Sequence, residues 1–268
     1  VVESTLENPH YTSYFEDFLV SLQTQYKIKM KKIVLSLLTV VLFISCEKKE
    51  AVKGANVHIT GNVEGLSKGK LFVQKIEDTT LVLLDSITIN GDSKFESHIK
   101  LDSPEMLYLF LDRGQTQSVD NSLLFFAEPG NINIETTLKH FYADAKVTGS
   151  KNHDLWVEFN KINSKFKDEN LSLLEKKLKS QAKNNSTLTD SIQSAYDKLL
   201  IRKYRYTANF AMTHADAVIA PYLALSEISN INITYLDTIQ KSMKPDVAKS
   251  KYGKMLTKFI KERKATEK

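Results

Sequence analysis

The chain has 268 residues, 42% apolar and 26% charged, with a formal net charge of +5 and a single cysteine. That apolar share is ordinary for a folded protein and argues against wholesale disorder. One cysteine excludes an intrachain disulfide, a CxxC redox pair and a thiol-rich zinc centre.

Residues 1–29 hold aromatic and acidic residues (Tyr11, Tyr14, Phe15, Glu16, Asp17) with no clear apolar period. They read as an upstream extension that is not native to the protein, with Met30 as the true start; a helix around Tyr14 to Gln25 is the rival reading. Residues 30–45 have the layout of a secretion signal: Met30-Lys31-Lys32, the apolar run Ile33 to Ile44, then the small Ser45 before Cys46. The run is too short to span a bilayer, which needs ~20 apolar residues. Phe43-Ile44-Ser45-Cys46 resembles the lipobox of bacterial lipoproteins. The resemblance implies cleavage between Ser45 and Cys46, a diacylglyceryl thioether on Cys46 and acylation of the new amino terminus. Several acyl chains together hold a protein stably on a membrane. An ordinary signal peptide with an incidental cysteine, or a buried apolar helix, is the competing reading. Residues 46–55 form a short polar tether.

From residue 56 to about 150 the pattern is β. Val57, Ile59, Gly61 and Val63 alternate as in a half-buried strand. Gly65 to Gly69 supplies a turn and Leu71-Phe72-Val73 begins a second strand. Leu81 to Ile89 is a third, and Asn90-Gly91 is a hairpin signal leading to Phe95–Ile99. Met106 to Leu111, Leu123 to Ala127 and Ile132 to Thr136 bring the set to about seven. Short strands broken by turns predict an antiparallel sandwich or barrel. Asp112 to Asn121 reads as a loop.

After Gly149 the period becomes helical, and residues 151–268 are expected to form a helical bundle, giving an α+β chain. Leu155, Phe159, Ile162 and Phe166 share one face, continued by Leu171, Leu174 and Leu178, with Trp156 placed where the helix meets the sheet. Lys183 to Ser186 is a break. Thr187 and Asp190 resemble a capping box opening a long helix. Helices follow over Ala217 to Ile228, around Pro221, and over Ile233 to Met243. Pro245 suits the first turn of a last helix, with Tyr252, Met255, Leu256 and Phe259 facing inward. Residues 46–150 carry 11 basic and 15 acidic side chains, and residues 151–268 carry 22 and 13. The lysines fall on amphipathic helices without a recognition motif, so a solvated helix face, not nucleic acid, explains the basic half.

Ile59-Thr60-Gly61-Asn62-Val63, Leu84-Asp85-Ser86, Gly91 with Lys94-Phe95, Glu128-Pro129-Gly130-Asn131-Ile132 and Val147-Thr148-Gly149-Ser150 occur in that order, followed by Pro221-Tyr222-Leu223 and Ser250-Lys251-Tyr252-Gly253-Lys254. This set resembles an N-terminal domain of unknown function that precedes thioredoxin-like, peroxiredoxin-type modules in envelope lipoproteins of Bacteroidetes-type bacteria. The resemblance implies a chain held to a bacterial envelope membrane, facing the periplasm or the cell surface. It also implies an envelope protein or a thioredoxin-like module as partner. In the family a CxxC-bearing domain follows the last helix; the sequence here stops at Lys268, so that activity does not carry over. Each motif also has a structural reading: Pro129-Gly130 as a turn, Asp85-Ser86 as a strand-end tie, Gly149-Ser150 as the switch from strand to helix.

Little else points to chemistry. His10, His58, His98, His140, His153 and His214 lack partners at helical metal-site spacing, and there is no HExxH, GxSxG, P-loop or GxGxxG. Asp85 and Glu128 lie near strand ends with nothing to join them. The expectation is no catalytic residue, no metal and no cofactor: a non-enzymatic, lipid-anchored docking or accessory protein. Two alternatives stand beside it, the front part of a thiol-disulfide oxidoreductase and a peptide- or glycan-binding module. The latter would show a cleft between the β and helical halves, with Tyr204, Tyr206 and Tyr222 as the tyrosines to examine. Cys46→Ala is expected to release the protein from membranes; a variant that still sediments with membranes after a salt wash would refute the lipid anchor.

Overall fold

The computed structural model describes residues 54–114, 119–183 and 185–266. Residues 1–29, the signal segment 30–45, Ser45 and Cys46 themselves, the tether to residue 53 and positions 115–118 of the expected loop lie outside the described residues. Among the described residues eight strands come first, then six helices: the strands are β1 (Val57–Glu64), β2 (Lys68–Glu77), β3 (Thr80–Asn90), β4 (Lys94–Ile99), β5 (Glu105–Asp112), β6 (Ser122–Ala127), β7 (Gly130–Thr137) and β8 (Lys146–Thr148). The helices are α1 (Lys151–Ala182), α2 (Ser186–Thr213), α3 (Ile219–Glu227), α4 (Ile233–Ser242), α5 (Pro245–Lys249) and α6 (Lys251–Thr266). The chain is α+β, as expected.

The strands form two open four-stranded sheets, not a closed barrel. Sheet one has the order β4-β1-β7-β8 and sheet two β3-β2-β5-β6. Ile59, Ile132 and Ile134 of sheet one meet Leu71, Leu107, Leu109 and Phe125 of sheet two in a single buried cluster, so the sheets make a sandwich. β8, which is only three residues long, is the strand the periodicity misses. The other difference is directional. β1 pairs antiparallel with β4 but parallel with β7, from Val57↔Gly130 to Glu64↔Thr137. The chain runs through sheet two between these strands and re-enters sheet one in the direction of β1. The Asn90-Gly91 turn is likewise a corner between sheets, because β3 and β4 belong to different ones. In β1, Gly61 replaces the expected apolar side chain because a Cβ there would collide with the Ile134 carbonyl and the Phe95 ring.

On its second face sheet two is covered by helices over β5 and β6. Met106 and Phe126 project from it into a cluster with Phe159, Phe210, Ile219, Leu223 and Tyr252, and Trp156 packs against this cluster as expected. The strand-to-helix switch is at Gly149 and Ser150. Gly149 sits at φ +92°, with no room for a Cβ beside the Asn131 carbonyl. Ser150 caps α1 by accepting from the His153 N–H at 3.1 Å. His153 in turn accepts the Phe126 N–H on Nδ1 at 3.3 Å, which ties the helix to the sheet, and burial pushes its pKa down. The cap of α2 is Asn185, which accepts from the Leu188 N–H, not the expected Thr187–Asp190 box.

The apolar stripe of α1 divides. Phe159 is fully buried, whereas Ile162, Leu171, Leu174 and Leu178 are exposed; the main packing partner of α1 is α2. Pro245 opens the five-residue α5; a new helix then starts after Ser250, whose Oγ accepts from the Gly253 N–H. Tyr252 and Leu256 of α6 face inward as expected, but Met255 is exposed. Among the described residues no helix is long and apolar enough to cross a membrane. Phe125 is fully buried at the centre of the sandwich, and Phe125→Ala is expected to cost about 3–5 kcal/mol in urea unfolding.

Candidate functional site

The helices leave part of sheet two uncovered, and a groove of about 630 Å3 opens there. Its sheet wall is Ile76, at the end of β2, with Met106 and Tyr108 of β5; its helical wall is Tyr222 and Leu225 of α3 with Tyr252, Met255 and Phe259 of α6. Tyr108 reaches it by strand alternation: Leu107 and Leu109 turn into the sandwich and Tyr108 turns out.

Three contacts fix the start of α6 to the start of β5. The Met106 N–H donates to the Tyr252 hydroxyl at 3.1 Å, the Lys251 N–H donates to Ser103 Oγ at 3.1 Å, and Lys251 Nζ binds the buried Glu105 carboxylate. The Tyr222 and Tyr252 rings meet edge-on with centroids 5.0 Å apart, and both lie against Phe126. Burial raises the pKa of all three tyrosines, that of Tyr222 to about 12. They are neutral phenols at ordinary pH and Lys251 is held by Glu105, while Glu77, Asp78, Lys258 and Glu262 also line the groove, so this arrangement suits apolar contact flanked by polar and charged groups.

Beside the groove the β2–β3 hairpin turns at Asp78, which has φ +55°. A bulge at Leu84, between Val73↔Asp85 and Gln74↔Leu83, shifts the end of this hairpin. Leu81 and Leu83 beyond it are 55% and 53% exposed, and Leu81 pairs with Ile76 of the groove. Among the described residues β3 pairs only with β2, so it is an edge of its sheet.

Of the three tyrosines named from the sequence, only Tyr222 lines the groove. Tyr204 donates to Asn230 at 2.7 Å, and Tyr206 donates to the Phe159 carbonyl while stacking on its ring. Asp85 and Glu128 sit by opposite edge strands of sheet two. Asp85 accepts from Ser97 Oγ and the Ser86 N–H, and Glu128 accepts from Lys151 and Asn152 at the start of α1. Asp85 lies in the middle of β3, beside the bulge, not at the strand end where it was expected, and the tie from Glu128 to the start of α1 was not foreseen.

One group was not foreseen. His58 of β1 and His98 of β4 stand directly opposite each other, with Glu96 between their side chains. The two histidine hydrogen bonds hold the Glu96 carboxyl below its usual range. The search for helical spacing missed it because its geometry is cross-strand; Glu96-Ser97-His98, two apart on one strand face, was the available signal. Of the other histidines, His140 contacts Asp144, His153 is buried as described, His214 lies against Phe210, and His10 is outside the described residues.

A family model described as Domain of unknown function (DUF4369) matches residues 57–156, from the first strand into the first helix. No curated protein matches the chain, and no solved structure does.

The raised pKa of Tyr222 makes stability fall in alkali. The unfolded phenol ionises near its ordinary 10.0 and the folded one near 12, so the preference of the neutral phenol for the folded state is complete below pH 10 and is lost through about pH 12. Tyr222→Phe is expected to lose less stability than the parent between about pH 9 and about pH 11.5 in urea unfolding.

Proposed function

We propose that this protein is a non-enzymatic envelope protein, held to a membrane by lipid on Cys46, that docks an extended apolar segment of an envelope partner in the groove beside β3. The observation that carries the proposal is the tyrosine-lined groove adjoining an edge strand with exposed Leu81 and Leu83. A strand added to such an edge gains main-chain hydrogen bonds, while alternate side chains enter neighbouring pockets. Ile76, Leu81 and Leu83 offer apolar surface to those side chains, and the groove offers depth with tyrosine hydroxyls to orient them. Tyrosine rings packed edge-on against one another favour a peptide over a sugar, which stacks on open ring faces. The resemblance of the residue order to domains found ahead of thioredoxin-like modules supports an accessory role beside such a module.

Panning a random peptide library against the immobilised full chain tests this. Selected peptides are expected to carry apolar residues at alternate positions and to shift the backbone NMR signals of β3, Tyr108 and α6. Met255→Glu and Leu83→Lys, both at exposed positions, are expected to weaken them about tenfold, or ~1.4 kcal/mol. Peptides that bind both variants as well as the parent would refute the reading.

A further inference from the structure

We propose that His58, Glu96 and His98 form a binding site for one divalent transition-metal ion of the zinc class on the outer face of sheet one. The antiparallel register of β1 and β4 sets His58 opposite His98 and Thr60 opposite Glu96. Strand alternation therefore puts all three side chains on one face, the carboxylate diagonal to one imidazole and two residues from the other. The imidazoles stack with centroids 4.3 Å apart at an interplanar angle of 7°. Both Nε2 atoms reach the same Glu96 oxygen, at 2.7 and 2.9 Å, and the three ligand atoms lie within 4.8 Å of one another.

A carboxylate only accepts hydrogen bonds, so in this arrangement each Nε2 carries the proton it donates. A metal ion at the point of convergence binds the Nε2 lone pairs once the proton of each neutral imidazole sits on Nδ1, the other tautomer. Zinc–nitrogen and zinc–oxygen bonds of ~2.0–2.2 Å require rotation of exposed side chains and no movement of the strands. Two imidazoles with one carboxylate suit zinc, nickel or copper; calcium and magnesium call for all-oxygen sets. Three protein ligands leave a coordination position for water or for a donor from another molecule.

The surroundings supply no packing reason for the ring stack. The neighbouring positions on this face are Thr60, Asn62, Lys94, Asn131, Asn133 and Glu135, and the two histidine side chains are 35% and 39% exposed. The site lies on sheet one and the groove on sheet two, and the site is independent of the docking proposal.

The test is calorimetric titration of the full chain with Zn2+, in a Cys46→Ala background so that no thiol competes. One saturable site is expected. His58→Ala and His98→Ala are each expected to weaken binding by at least the ~10–100-fold seen when a supporting contact to a ligand is lost. His140→Ala, at the other exposed histidine–carboxylate contact, is expected to leave binding unchanged. Electron paramagnetic resonance of the Cu2+-loaded chain should show hyperfine coupling to two nitrogens, a readout that needs no variant. Zn2+ binding that survives His58→Ala/His98→Ala, the absence of saturable binding, or Cu2+ without two coordinated nitrogens would overturn the proposal.

Discussion

On β5 and β6, Leu107, Leu109 and Phe125 enter the sandwich while Met106 and Phe126 enter the helical layer, and none of the five is more than 5% exposed. An antiparallel sheet commonly leaves one face wet. This one cannot, since each large side chain left in water forgoes roughly 1.5–3 kcal/mol of burial. The helices are therefore part of the fold of the sheet. They cover β5 and β6, with Lys251 of α6 reaching the Ile76 carbonyl of β2, and the groove opens beside the end of the β2–β3 hairpin. The groove is what remains of a face too wide for its cover.

Alternation and punctuation made most of the architecture legible. Val57, Ile59 and Val63 announced β1, Ser150 marked the start of the helices, and Trp156 was correctly placed at the junction. What escaped depends on partners distant in the chain. A strand reads the same whether its neighbour runs with it or against it, which is why the β1–β7 pairing was not foreseen. An apolar stripe reads the same on a packed helix and on an extended one, hence the unexpected exposure of Leu171, Leu174 and Leu178. Of the groove, Tyr222 was picked out, whereas Tyr252 was read as core and Tyr108 passed as one more strand aromatic. The histidine pair was hidden because His58 and His98 become neighbours only through strand register.

The uneven charge has a local explanation. On α1, Lys161, Lys165, Lys167, Lys176 and Lys179 are all exposed, the solvated face that amphipathic spacing implied. Ion pairs such as Arg202–Glu169 and Lys179–Glu175 join exposed side chains and add little stability. By contrast, Lys251 and Glu105 join the two halves at a carboxylate only 7% exposed. Losing either partner there strands a charge or an ammonium stem at the foot of the groove.

The parallel pairing of β1 has a temporal consequence. Its partner strand lies 73 residues downstream, the separation between Thr60 and Asn133. Antiparallel neighbours such as β2 with β3 or β5 with β6 meet across short loops and zip early, while a contact this remote must wait for a large ring of chain to close. Until β7 arrives, β1 keeps one backbone edge unmated, so this seam of the sandwich closes late.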